Sequence, residues 1–406
     1  MTGPGRTGPE LTGPEMTGPE MTGGVWGDLV GQDAAVRVLR GAVADAPAAM
    51  GGAAAGAMTH AWLLTGPPGS GRSIAARAFA ASLQCAEGGC GECHACRTAL
   101  GGTHADVEVL STELLSIGVK DTRELVRRAS LSPSGGRWQV IVAEDADRLT
   151  EQAANVLLKA IEEPSPRTVW ILCAPSAEDV LPTIRSRCRH VRLVTPSARA
   201  VAEVLTRRDG IPQDMAVFAA AASQGHIGRA RRLARDADAR ARRREVLDLP
   251  AQLRSVGACV AAAEKLVEAV KADAKAATEA HDAAETESVR ASLGIGARAK
   301  QPPGAAAALK ELEKRQRTRA TRQQRDALDR ALVDLVAYYR DVLAVQLGSG
   351  VPLTNDELRA AIVAAAQAGT PEATLRRIEA VLACRTALEA NAAPLLAIEA
   401  MTLALR

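Results

Sequence analysis

The chain has 406 residues, 47% of them hydrophobic, which is enough for two or three packed domains. No apolar run approaches the ~18 residues a membrane span needs, and no apolar h-region lies near the start, so the sequence reads as soluble and cytoplasmic, without a secretory signal. Fifty basic against 47 acidic side chains leave +3, too near neutral to argue for nucleic acid; any DNA contact must come from local patches or partners.

In chain order, the opening TGPGRTGPELTGPEMTGPEMTGG repeats a Gly- and Pro-rich unit that cannot bury a core. It predicts a disordered tail over 1–22; alternatively, translation begins at Met16 or Met21 and the repeat before it is not part of the protein. From Val25 to about Val194, short apolar runs alternate with helical patterns, the signature of a parallel sheet with crossover helices. The predicted strands are Trp62–Thr65, Val107–Leu110, Val140–Ala143, Val169–Cys173 and Val191–Leu193. Thr150–Glu163 reads as a helix with Thr150 as N-cap and Pro164 past its end. Residues 196–247 carry Ala, Leu and Arg at helical spacing. Ala251–Ala284 and Leu309–Leu347 read as long helices separated by a Gly/Pro-bearing break, and Asn355–Leu405 is again helical. The expected organisation is an α/β module over 23–195, a helical lid over 196–247 and a helical domain over 248–406 that carries a charged insertion at about 270–330.

Gly66-Pro67-Pro68-Gly69-Ser70-Gly71-Arg72-Ser73 follows a predicted strand and opens a helix, as a phosphate-binding loop does. Its glycines would let backbone N–H groups turn inward around phosphates, and the helix N-terminus would add its dipole. The lysine expected at position 72 is an arginine, whose planar fork cannot simply occupy the place of an ammonium. The strand Val140–Ala143 ends in Glu144-Asp145, the reverse of the usual Asp-Glu order, which displaces the Mg²⁺ contact and the water-activating carboxylate by about a methylene each. Both departures predict a weak nucleotide site, Gly66, Gly69, Gly71, Arg72, Ser73, Glu144 and Asp145, with hydrolysis lost.

Of eight cysteines, Cys85, Cys90, Cys93 and Cys96 lie within twelve residues. In a reducing compartment such a cluster suits a closed, structural, tetrahedral Zn²⁺ site better than disulfides, with free thiols as the alternative. His94, inside the cluster, is then a solvated bystander.

Together with EDADRLTEQAANVLLKAIEEPSPRTVWIL (Glu144–Leu172) and LPTIRSRC (Leu181–Cys188), the altered loop and the cysteine module resemble the clamp-loader subunits of bacterial DNA polymerase III, an AAA+ family. The resemblance covers roughly Val25 to Leu247. It implies an α/β AAA+ P-loop module with a zinc-binding insertion, an all-α lid and an all-α collar that joins subunits into a ring. It also implies tau/gamma and delta partners, a sliding clamp and primer-template DNA reached through the assembled complex, with no membrane. In this family Ser186-Arg187-Cys188 places its arginine against ATP held by a neighbour, so Arg187 is the candidate arginine finger in trans. Arg229 in GHIGRARRLA matches the lid's sensor arginine, which would face this chain's own nucleotide site, or, if that site is empty, form part of the domain interface. Asp28 and Gln32 match a box beside the adenine pocket, although a helix start explains Asp28 equally well.

The departures at Arg72 and Glu144-Asp145 favour a subunit that does not hydrolyse ATP. The alternatives are an active AAA+ ATPase in which Arg72 replaces lysine, and a stand-alone zinc-dependent DNA-binding module. Arg229–Arg244 and Lys310–Arg330 are interleaved with acids or alanines and lack aromatics to stack on bases, so they read as solvated helix faces.

Overall fold

The computed structural model describes residues 23–51, 56–110, 116–135, 137–292 and 305–406. The repeat expected to be disordered, the alternative starts Met16 and Met21, and most of the break between the long helices lie outside the described residues.

The α/β module runs α1 (Asp33–Met50), β1 (Ala61–Thr65), α2 (Arg72–Gln84), α3 (His94–Leu100), β2 (Val107–Leu110), α4 (Val119–Ala129), β3 (Gln139–Ala143), α5 (Glu151–Glu162), β4 (Thr168–Ala174), α6 (Pro182–Arg185) and β5 (Arg189–Arg192). The strands form one parallel sheet in the order β2-β3-β4-β1-β5. Every residue of β1, β3 and β4 is buried, which is why these strands read as continuous apolar runs and not as alternating ones. Alternate side chains feed two cores. Trp62 and Leu64 join Val140, Val142 and Ile171 under α1 and α2, while Leu63, Ile141, Trp170 and Leu172 pack with Leu157 and Ile161 of α5 on the opposite face. Trp62 meets Phe79 of α2 edge to face, with ring centroids 5.0 Å apart. Thr150 caps α5 by accepting a hydrogen bond from the Ala153 N–H at 3.3 Å.

The fifth strand begins two residues before the expected Val191. As a sheet edge, RHVR buries only Val191 and leaves its arginines in solvent, so it carries no apolar run to mark it.

Beyond the sheet the described chain is helical: α7 (Ala198–Arg207), α8 (Gln213–Ser223), α9 (Ile227–Arg235), α10 (Ala237–Leu247), α11 (Val256–Ser292), α12 (Ala305–Gln346), α13 (Arg359–Ala368), α14 (Pro371–Glu389) and α15 (Pro394–Leu405). One small core, with Val201, Leu205 and Leu233, holds α7 to α9; a separate core, with Leu332, Leu335, Ile362 and Ile398, holds α11 to α15.

The reading of Lys310–Arg330 as a solvated face is corrected at two residues. The Arg319 side chain is only 8% exposed and reaches from α12 to Asp282 at 2.6 Å and Glu285 at 3.0 Å on α11. Arg322, 3.8 Å from Asp326 on its own helix, also reaches across to the α/β module, as described below. Helical spacing in one segment cannot reveal that its charges meet another helix.

Asp334 of α12 pairs with Arg229 at 2.5 Å and Arg243 at 3.3 Å, and all three side chains are at most 13% exposed. Asp334→Ala strips the carboxylate from two buried guanidinium groups and is expected to cost about 3 kcal/mol. Urea unfolding checks this, and a loss below about 1 kcal/mol would show that Glu357 and Asn355, which also hold Arg243, suffice.

Candidate nucleotide site and metal centre

The loop Gly66–Ser73 leaves β1 and enters α2. Gly69 (φ +85°) and Gly71 (φ +90°) occupy the left-handed region that other residues resist. A Cβ on Gly69 would also lie 2.6 Å from His226 Cα of the lid, so the loop's apex and the lid are in close approach. His226 Nδ1 accepts the Arg229 N–H at 3.2 Å at the start of α9. Burial and then the Arg229 charge hold the His226 ring below its ordinary pKa, so it is neutral near pH 7.

Arg72 turns back on the loop: its Nη1 donates to the Gly66 carbonyl at 2.6 Å. A cation directed at its own loop carbonyl is turned away from the place where terminal phosphates would need charge. Ser73 sits one residue into α2, half-buried. Gln32 is buried and fully engaged, its Nε2 donating to Ser70 O (3.0 Å) and Val194 O (2.6 Å) and its Oε1 accepting from Val194 N (3.0 Å). Gln32 therefore ties the loop to the exit of the sheet. Asp28 pairs with Arg208 of the lid.

Both acids after β3 face arginines. Glu144 takes Arg77 of α2 at 2.9 Å. Asp145 is approached by Arg148 at 3.8 Å and by Arg322 of α12 at 3.5 Å. Asp147, two residues on, is pushed above the usual carboxylate range by burial and also by Asp145. Guanidinium groups thus stand where a divalent cation would need unshared carboxylate oxygens. Sequence reasoning missed Arg77 and Arg322. Arg77 lies on the helix that follows the loop and was within reach of a helical projection, but Arg322 is brought to Asp145 only by tertiary packing.

Of the two expected places for Arg229, the nucleotide site or the domain interface, the structure has the second: its guanidinium is turned to Asp334 of α12 at 2.5 Å. Arg187 follows α6 at the surface, 40% exposed, with Nη2 on Glu162 at 2.5 Å and Nη1 donating to the Thr183 carbonyl at 2.7 Å. Its neighbour Cys188 is half-buried, and burial pushes its thiol up to about 12.

The four clustered cysteines come together between α2 and α3. Cys85 ends α2 and Cys93 caps α3. Their four sulfurs all lie within 4.8 Å of one another, with Cys85–Cys90 at 3.7 Å and Cys85–Cys93 at 3.8 Å. Thiolates at Zn–S distances of about 2.3 Å in a tetrahedron stand about 3.8 Å apart, so this donor set fits a four-sulfur metal site. Burial works against the Cys85 thiolate, but backbone N–H groups of Cys90, Gly89 and Glu87 bring its pKa down to about 6. Burial pushes Cys96 the other way. His94 is exposed and outside the group.

Residues 50–197 match the family model described as DNA polymerase III, delta subunit. Pseudomonas aeruginosa DNA polymerase III subunit delta' is 41% identical over 154 residues, 36% of this chain and 47% of that protein. Mycobacterium bovis DNA polymerase III subunit gamma/tau is 37% identical over 172 residues, 40% of this chain and 30% of that protein. Among solved structures, Thermotoga maritima RuvB aligns with a TM-score of 0.37 at 21% identity, covering 54% of this chain and 65% of RuvB. The chain thus spans half or less of these two curated relatives. Over its α/β module, a five-stranded parallel sheet flanked by helices, the chain resembles the delta-prime and gamma/tau subunits of DNA polymerase III.

Proposed function

We propose that this protein is a delta-prime-type subunit of the DNA polymerase III clamp loader that does not hydrolyse ATP itself and helps place the sliding clamp on primed DNA. The observation that carries this reading is the state of its own loop: Arg72 bonded to the Gly66 carbonyl, with Glu144 and Asp145 each facing an arginine. Phosphoryl transfer needs a cation over the terminal phosphates, a carboxylate for Mg²⁺ and a group that orients water, and here each of those parts is engaged elsewhere. The module is then a scaffold. Its partners would be tau/gamma and delta subunits and the clamp, with primer-template DNA met through the assembled complex in the cytoplasm. Among the described residues no helix is long and apolar enough to cross a membrane, which accords with that setting.

Arg187 would act on a neighbour's ATP. Its surface position leaves the guanidinium free to exchange Glu162 for a phosphate at small cost, since exposed ion pairs contribute only about 0–1 kcal/mol. Cys85, Cys90, Cys93 and Cys96 would hold Zn²⁺ as thiolates in a closed structural site that fixes the turn between α2 and α3.

The purified chain is expected to show no ATP turnover, and Arg72→Lys is expected not to restore it, because Glu144 and Asp145 keep their arginine partners. Turnover in the single variant would place the whole defect in residue 72. The gamma/tau relative at 37% identity favours a hydrolysing subunit as a second reading. ATP hydrolysis by the unmodified chain, abolished by Arg72→Ala, would establish it.

A further inference from the structure

Helix α12 reaches three parts of the chain. Leu328, Leu332 and Leu335 lie in the core of the α11–α15 bundle. Asp334 takes Arg229 of α9 and Arg243 of α10. Farther toward its N-terminus, Arg322 reaches Asp145, in the turn after β3, at 3.5 Å. Arg322, Asp326 and Arg330 are spaced i, i+4 and i+8 and so share one face of the helix. The module meets this face with Asp145 and Arg148, 3.8 Å apart. Signs alternate across the contact: Arg322 pairs with Asp145, while the charges of Arg322 and Arg148 act on Asp326, which burial holds above the usual carboxylate range. Asp326 lies 3.8 Å from Arg322, and Asp329 is taken by Arg385 at 2.6 Å. Arg148, Arg322 and Arg330 thus balance Asp145, Asp147 and Asp326.

Three edges join the module, the helices α7–α10 and the α11–α15 bundle, and they differ in kind. Between module and α7–α10, Val30 packs against the small helical core and Asp28 pairs with Arg208. Between α7–α10 and the bundle, Leu247 of α10 is buried in the bundle core and Asp334 holds its two arginines. Between bundle and module, the hydrophobic cores share no residue, and charge makes the link. Within that third edge Arg322 is only partly satisfied: its Nη1 is buried with no hydrogen-bond partner among the described residues, which works against the closed contact.

We propose that Arg322 and Asp326 of α12, with Asp145 and Arg148 of the module, form a salt-sensitive latch between the bundle and the α/β module. Closed, the latch completes a ring of three contacts and fixes the angle of the module. Open, it leaves two contacts in series, about which the module swings on α7–α10 with every hydrophobic core intact. The Arg322 and Asp145 side chains keep 19% and 22% of their surface in solvent, so salt reaches the pair. A partner gripping the bundle would meet the module at one angle with the latch closed and over a range of angles with it open.

The test is hydrogen–deuterium exchange and small-angle X-ray scattering on the full-length protein at fixed pH, in low and in high sodium chloride. Wild type is compared with Arg322→Gln and with Arg317→Gln, a control at an exposed position of the same helix. Opening is expected to speed exchange of the amides of residues 146–149 about tenfold and to enlarge the radius of gyration, in Arg322→Gln at low salt and in wild type at high salt. Salt should add little more in Arg322→Gln. Exchange in β1, β3 and β4 should stay as it is, because the latch contributes nothing to their cores. The proposal is overturned if Arg322→Gln keeps the wild-type radius or the wild-type exchange in this turn, or if high salt leaves wild type closed. Faster exchange in β3 and β4 as well would also overturn it, by making the pair a support of the sheet. So would Arg317→Gln behaving as Arg322→Gln does, by tracing the effect to a weakened helix.

Discussion

Arg187→Ala in this chain alone is expected to lower DNA-stimulated ATP hydrolysis at the neighbouring site of the reconstituted complex by about 10³-fold, with total turnover falling by that site's share. The reason is electrostatic. Charge builds on the equatorial oxygens of the transferred phosphoryl group, and a guanidinium delivered from a partner stabilises it without a water shell to reorganise. The effect should be specific, because Arg187 is 40% exposed and, among the described residues, bonded to a surface glutamate, the Thr183 carbonyl and the Ser186 hydroxyl, so its loss removes no core contact. Assembly and melting temperature should stay unchanged. Arg187→Lys should rescue little, since an ammonium cannot reproduce the planar fork. Unchanged hydrolysis in a complex that assembles would remove Arg187 from the mechanism.

The second large effect is expected at the cysteines. Cys96→Ser, or exhaustive chelation, should release one zinc per chain and destabilise the protein by several kcal/mol, because a structural site contributes its binding energy to folding. The loss should spread beyond the turn. Cys85 and Cys96 are buried in the same core as Trp62, Phe79 and Val25, and the Val25 N–H is bonded to the Gly89 carbonyl inside the cysteine loop at 3.1 Å. Metal analysis and thermal melting of the native and chelated protein are the measurements. A metal-free protein that melts as the native one does would reduce the cluster to four free thiols.

By itself the sequence determined the parts whose cause is local. Apolar runs mark β1, β3 and β4 because both of their faces are buried; Thr150 marks the start of α5 because its hydroxyl serves an orphan N–H; and the cysteine spacing marks a metal-sized cluster because four short side chains on one tight turn have little choice of where to point. The replacement at Arg72 was equally visible. Only the tertiary structure decided what the charges do. Arg72 bends to the Gly66 carbonyl, Arg322 crosses from α12 to Asp145, Arg229 turns to Asp334, and Arg319 is buried against α11. An arginine's long stem and delocalised charge let it pair with any carboxylate or carbonyl that packing brings within reach. Helix periodicity fixes the direction in which such a stem leaves the backbone, but the partner is supplied by another element, up to 177 residues away for Arg322 and Asp145.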